Sequence, residues 1–579
     1  MLKELIKCIG QYKRETLLTP FFVVFEVILE VIIPLLMAKL IDEGIDMGDM
    51  GVIIKLGAAL ILASLISLAF GILAGYFAAT ASAGYAKNLR QKMYYAVQDF
   101  SFHNIDKFST GSLVTRLTTD VTNVQNAYQM IIRVAVRSPL MLIFSLVMAF
   151  SINPQLSLIF FVISPFLGFG LYEIIRHAHP LFVIIFKTYD RLNTVVQENL
   201  RGIRVVKSFV REDHEIEKFN TVSEKIFQDF STAEKIIAFN APLMQFSVFS
   251  CILLISWFGA KMIVAGSLTT GQLVSLFTYT MQILMSLMML SMVFVMIIIS
   301  RTSAKRIVEV LVEESDLHNN EQPVREVKNG DVEFRHVGFS YAKNPQNLCL
   351  RDVNLTIKSG ETVGIIGGTG SGKTTLVQLI PRLYDVTEGT VLVGGVDVRD
   401  YDLQVLREEV AVVLQKNLLF SGTIKENLRW GNKDATDAEI ERACRLAQAD
   451  DFIRTFPDGY DTYLEQGGAN VSGGQKQRLC IARAVLKKPK ILILDDSTSA
   501  VDMRTDALIR QAFRDEIPQT TKFIIAQRVA SVMEADKIIV MEGGRVEAVG
   551  THDELLKNNR IYQEVYYSQQ KGENGHDVA

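Results

Sequence analysis

The stretch "ETVGIIGGTGSGKTT", Glu361 to Thr375, reads as a short strand, a glycine-rich loop and the start of a helix, in that order. Gly367, Gly372, Lys373 and Thr374 fit the spacing GxxxxGK[ST], with Gly370 inside the loop and Thr375 just after it. The glycines let backbone N–H groups close on phosphate. A lysine at the loop's end reaches the β- and γ-phosphates, and the hydroxyl after it can ligate Mg²⁺. The order of elements predicts an α/β domain built around a nucleoside triphosphate.

Further along, "ILILDDSTSAVD" (491–502) reads as a buried strand that delivers adjacent carboxylates, Asp495 and Asp496, to its end. Asp495 is placed to complete the Mg²⁺ site. Between these motifs lies "VSGGQKQR" (471–478), where Ser472, Gly473, Gly474 and Gln475 open a helix. Backbone donors and the helix dipole at such a start face an anion. The chain already has one phosphate loop, so this second anion site suggests service to another domain's nucleotide.

Upstream the composition changes. A chain of 579 residues is too long for one core. It is 49% hydrophobic yet 21% charged, and the two features separate: apolar blocks crowd residues 16–300, while charge spreads evenly afterwards. Apolar runs of about 20 residues suffice to cross a bilayer. There are six, near 17–41, 54–79, 134–152, 156–176, 241–265 and 272–300. The short loops 42–50, 151–155 and 266–271 carry no Lys or Arg, whereas the connections 80–133 and 177–240 carry many, including Lys87, Arg90, Arg116, Arg201 and Arg211. By the positive-inside rule the termini and both long connections are cytoplasmic. Those connections are helical in pattern, so the membrane helices are expected to extend into the cytoplasm. The predicted organisation is a membrane domain over 1–314, a hydrophilic linker over 315–330, a nucleotide-binding domain over 331–568 and a polar tail over 569–579.

Net charge is −3, which favours no nucleic-acid partner. Five scattered cysteines without CxxC spacing argue against structural disulfides and zinc. The N-terminal apolar run is too long for a cleavable signal.

Together these motifs resemble an ATP-binding cassette exporter half-transporter: an all-α membrane domain of six long helices followed by an α/β P-loop domain. The resemblance covers nearly the whole chain. It implies ATP and Mg²⁺ as cofactors, with Thr374, Gln415 and Asp495 around the metal. Tyr341 in "FSYAKNP" resembles the aromatic that stacks on adenine, and Gln415 in "VVLQKNLLF" the Q-loop glutamine. Ser499, Ala500 and Asp502 resemble the D-loop that crosses to a partner subunit. The family pattern also implies head-to-tail pairing, each ATP lying between one phosphate loop and the other chain's signature, here Ser472–Gln475.

Two departures stand out. The family's glutamate after the Walker B aspartate is here Asp496, one methylene shorter, and Gln527 in "FIIAQRVASV" replaces the usual histidine. A misplacement of about 1 Å can cost roughly 10²-fold in rate. An amide also lacks imidazole's basicity. Both changes touch one nucleotide and weaken one step, while the signature stays intact. The pattern resembles the degenerate-site subunit of a heterodimeric bacterial multidrug exporter, whose partner half-transporter carries Glu and His. Its place is the bacterial cytoplasmic membrane.

Two membrane features are candidates for substrate contact. Glu26 and Glu30 lie at i,i+4 in the first crossing, before the kink expected at Pro34. They either attract cationic substrates or pair with polar groups on neighbouring helices. Met281, Met285, Met288, Met292 and Met296 form one stripe of the sixth crossing. That stripe suits a promiscuous apolar site, helix packing or lipid contact. Hydrophobic or cationic small molecules are the expected cargo; a lipid or peptide exporter or an ATP-gated channel would share the nucleotide motifs. The six crossings exclude a soluble DNA-repair ATPase.

Overall fold

The computed structural model describes residues 1–497 and 501–574. Ser499 and Ala500, assigned above to the D-loop, lie outside the described residues. Six helices are long and apolar enough to cross a membrane. They include α1 (Lys13–Lys39), α2 (Met50–Asp99), α3 (Val121–Ile152), α4 (Pro154–Arg201), α5 (Asn240–Val264) and α6 (Thr270–Val312). The 50 residues of α2 rise about 75 Å at 1.5 Å each, far beyond a hydrocarbon core of about 30 Å. The long connections are therefore built largely from continuations of the helices themselves.

The chain divides into two compact units. One holds Met1–Gln98 and Phe108–Glu313; the other holds Asp99–Lys107 and the residues from Glu314 onward.

In the membrane unit, α1 runs through Pro34 without ending. Proline has no N–H, so the carbonyl of Glu30, four residues back, loses its helical donor. The side-chain amide of Gln282 on α6 supplies a replacement at 3.3 Å. Alongside it, Tyr279 donates to the carbonyl of Val31 at 2.7 Å. Where no water is at hand, such side chains are what let a proline stay inside a spanning helix. The start of α6 is closed by a capping box between Thr269 and Gln272. Gly271 lies between the two, and a Cβ there would fall 2.3 Å from the carbonyl oxygen of Ala38, so only glycine allows α1 and α6 to meet this closely.

The second unit carries a four-stranded sheet of β1 (Val332–Phe339), β2 (Leu350–Ile357), β4 (Glu388–Val393) and β5 (Val396–Asp397), in the order β2-β1-β4-β5. A six-stranded sheet holds β3 (Thr362–Gly367), β6 (Val410–Val413), β9 (Ile491–Asp495), β10 (Thr521–Ile525), β11 (Lys537–Glu542) and β12 (Arg545–Gly550). A short pair, β7 (Gly422–Thr423) and β8 (Tyr463–Leu464), stands apart. In the larger sheet the order is β12-β11-β3-β10-β9-β6, parallel except for the β11–β12 pair. All five residues of β9 and of β10 are buried, as strands covered on both faces must be. The register sets Ile525 beside Asp495 and Ile525 beside Ile365, so β9 and β10 end together and β3 runs two residues further. Loops leaving the carboxyl ends of neighbouring parallel strands form the crevice in which such sheets bind ligands.

Candidate functional site

The phosphate loop leaves β3 at Gly367 and enters the helix α7 (Lys373–Gln378). Gly370 and Gly372 hold φ of +80° and +94°, a region that side-chain-bearing residues avoid. The Lys373 ammonium donates to the carbonyl oxygens of Gly367 and Gly368, at 2.8 Å each, so it is already folded over the loop's mouth. Burial lowers the Lys373 pKa, while the charges of Asp495 and Asp496 oppose that shift.

Thr374 donates its hydroxyl to Asp495 at 3.0 Å. Asp495 closes β9 and is 4% exposed. Burial and the neighbouring Asp496 push its carboxyl above the usual range; the Thr374 hydrogen bond and Lys373 pull the other way. A threonine hydroxyl and a buried carboxylate in contact are a hard-oxygen donor set. They suit a small divalent cation that completes its shell with phosphate and water; the Gln415 amide, the third candidate, donates to Asp496 at 3.3 Å. Among the described residues no cluster of three or more His, Cys, Asp or Glu could hold a metal unaided.

Asp496 is the hub of the site. It has left the strand with φ at +48°, a left-handed conformation that Asp tolerates better than most residues. Its N–H donates to the carbonyl of Ile525 at 3.0 Å, tying the end of β9 to the end of β10. One carboxylate oxygen accepts from the amides of Gln527 at 2.7 Å and Gln415 at 3.3 Å. The two glutamines and the short carboxylate, far apart in sequence, therefore meet at one oxygen atom. Its backbone carbonyl accepts from Gln477 at 3.4 Å. Gln477 lies on α8 (Gly473–Leu486), the helix opened by the signature residues.

At the start of α8, Ser472 caps the backbone N–H of Gln475 at 3.3 Å, and the Gln475 side chain returns a bond to the N–H of Ser472 at 2.9 Å. Gly473 and Gly474 follow the cap. Among the described residues no hydrogen bond joins this segment to the phosphate loop. Asp502 caps α9 (Met503–Glu516), accepting from Thr505 at 2.9 Å; backbone and side-chain donation from Thr505 hold its carboxyl below the usual range.

Tyr341 meets Thr375 through its hydroxyl at 3.0 Å, and its ring lies edge-on to Tyr384, centroids 5.2 Å apart. Tyr384 was not expected from the sequence. Its hydroxyl donates to Asp106 at 2.7 Å, and its ring also approaches Phe102.

Gln569 was missed for a different reason. The sequence placed a polar tail from residue 569, but the helix α10 (Arg560–Asn574) runs on through it. Tyr562, fully buried, and Val565 and Tyr566, packed against the same core, anchor one face of α10. Gln569 continues that face. Its side chain donates to the carbonyl of Gln527 at 2.8 Å and accepts from the N–H of Val529 at 2.9 Å.

In the membrane unit, the Arg137 guanidinium donates to both carboxylate oxygens of Glu30, at 2.7 Å each, and lies 3.5 Å from Glu26. Both carboxylates thus face the Arg137 guanidinium across the helix boundary. Met281, Met285 and Met292 are exposed on α6, while Met288 and Met296 are half-buried.

Comparison with known proteins adds to this geometry. Residues 16–288 match the family described as ABC transporter transmembrane region, and residues 350–499 the family described as ABC transporter. The chain is 38% identical over 532 residues to the uncharacterized ABC transporter ATP-binding protein YfiB of Bacillus subtilis, covering 92% of each. It is 35% identical over 523 residues to YknU of the same organism, covering 90% of this chain and 87% of the relative. A fatty acid ABC transporter ATP-binding/permease protein of Mycobacterium tuberculosis is 35% identical over 457 residues, covering 79% of this chain and 72% of the relative.

Proposed function

Because the chain belongs to the ABC transporter family, a multi-pass membrane protein that couples ATP hydrolysis to transport, we propose that it is one half of a heterodimeric exporter whose own ATP site is degenerate. The observation that carries this reading is the occupancy of Asp496: its carboxylate oxygen accepts from both Gln527 and Gln415. A general base must have a free lone pair aimed at water. Here the carboxylate is short, and the amide hydrogen bonds draw it toward the loops. Gln527 donates and takes no proton, so the work of a base falls on a carboxylate one methylene short of the family's glutamate.

In this reading Gly367, Gly370, Gly372, Lys373 and Thr375 hold the triphosphate and Tyr341 the base. Thr374, Asp495 and Gln415 would hold Mg²⁺, which would supply positive charge to neutralise the phosphates. Ser472–Gln475, with a complete cap and an intact motif, closes over the partner's nucleotide. Asp502 faces the partner; Ser499 and Ala500 belong to the same motif. Termini and nucleotide-binding domain are cytoplasmic, in the plasma membrane of a bacterium, with bulk lipid around the six spans.

The cargo class is hydrophobic or amphipathic small molecules of the multidrug type. A lipid-like cargo is the second reading, and it is favoured by the fatty acid transporter among the relatives. The test is ATP turnover by the purified chain alone and with a partner half-transporter bearing Glu and His. The pair should turn over at least tenfold faster than the chain alone, a span within the general-base contribution of about 10²–10⁴. Equal rates would sink the asymmetric reading.

A further inference from the structure

The membrane unit contains a charged group on α3 that the pairing of Glu26 and Glu30 leaves over. Arg133 lies four residues before Arg137, on the same helical stripe, and both are half-buried. Among the described residues Arg133 makes no ion pair. Arg137 is committed to Glu30, yet its side chain remains 37% exposed. The carboxylates are more covered: the side chain of Glu26 is 8% exposed and that of Glu30 28%. What an incoming molecule meets is therefore guanidinium, although the residues balance in charge.

The neighbouring helix is shaped for this arrangement. On α2, Gly71 and Gly75 face the cluster: a Cβ at Gly71 would lie 3.1 Å from the Glu26 carboxylate and at Gly75 3.4 Å from the Arg133 guanidinium. Larger residues there would crowd both groups. Apolar surface lies within reach on α6: Ser303 meets Asn123 and Gln282 meets Ser145, contacts that bracket the stripe, and between them Met292 is 56% exposed. From Ile152, the end of α3, Arg133 is roughly 30 Å along the helix, about the thickness of the hydrocarbon core. It thus stands at the boundary of the bilayer opposite that end, with Arg137 one turn inside.

We propose that the Arg133–Arg137 stripe of α3 is a headgroup site for an anionic amphiphile, an acyl chain ending in a single carboxylate. A guanidinium fork matches a carboxylate in two hydrogen bonds. Arg133 supplies the uncommitted fork, and Arg137 adds a second positive charge one turn away. The methionine stripe offers a deformable surface to the chain, since thioethers adapt to varied shapes. A cation would meet the two guanidiniums first and be repelled. This inference rests on the export reading for its purpose, but the site itself is defined without ATP.

The test uses the full chain in phosphatidylcholine nanodiscs without nucleotide, with fluorescent cis-parinaric acid and its uncharged alcohol as probes. The acid should bind about tenfold more tightly than the alcohol, as a charge-assisted hydrogen bond allows. R133Q should abolish that preference and leave alcohol binding unchanged, which also reports that the variant is folded; R133K should restore part of it. Palmitate should displace the probe. Displacement by phosphatidylglycerol and not by palmitate would assign the site to a resident lipid and overturn the proposal. Equal binding of acid and alcohol, or an acid preference that survives R133Q, would overturn it as well. Intact acid binding together with absent ATP-driven export would contradict the export reading alone.

Discussion

Asp496 carries the argument at the level of single residues. Its backbone is pinned to β10 through Ile525, and its carboxylate is held by Gln527 and Gln415. Adding one methylene, as in D496E, moves the carboxylate outward by a distance comparable to the ~1 Å that costs or restores roughly 10²-fold in rate. D496E combined with Q527H should raise hydrolysis at this site by about tenfold or more, measured in an assembly whose other ATP site is silenced. Export need not rise with it, because a slowly emptied site can hold the two nucleotide-binding domains together between cycles. No gain in hydrolysis would show that the site is slow for another reason. The motif residues were legible because each acts within a few positions of its neighbours: the loop glycines, Lys373 and Thr374 are contiguous. The convergence of Gln415, Asp496 and Gln527 on one oxygen was not, because it depends on the strand order that packs β9 beside β10.

Among the secondary elements, α10 and α6 do work that sequence patterning conceals. Gln569 holds the loop of Gln527 by one donated and one accepted hydrogen bond. In composition it belongs with the polar residues after it, and only the anchoring of Tyr562, Val565 and Tyr566 places it against that loop. Q569A should cost on the order of 1–2 kcal/mol and speed amide exchange across Ala526–Val532. Unchanged exchange there would show that the loop is held by other contacts. In the membrane unit, the six apolar runs were evident from length alone, but the Arg137–Glu30 pair joins residues 107 positions apart and needs the bundle to exist first. Gly271 offers a separate check on packing. G271A places a Cβ against the carbonyl of Ala38, and overpacking of this kind costs roughly 1–3 kcal/mol. It should lower the thermal midpoint of the purified protein, whereas a wild-type midpoint would mean that α1 and α6 part easily.

For the whole molecule the central claim is asymmetry: this chain lends a sound signature to its partner and keeps a weak site for itself. The signature's cap is complete, and Ser472 opens a helix of 14 residues, so the cap's loss alone costs about 1 kcal/mol and leaves the domain folded. A charged residue there would instead repel the partner's γ-phosphate. Two single substitutions in the heterodimer thus probe opposite sites from one chain. The deciding measurement is steady-state ATP hydrolysis by the reconstituted heterodimer carrying S472E or D496N in this chain. The account predicts that S472E removes most of the activity, while D496N leaves most of it. The reverse ranking, with D496N the more damaging, would show that Asp496 is the working base and contradict the account.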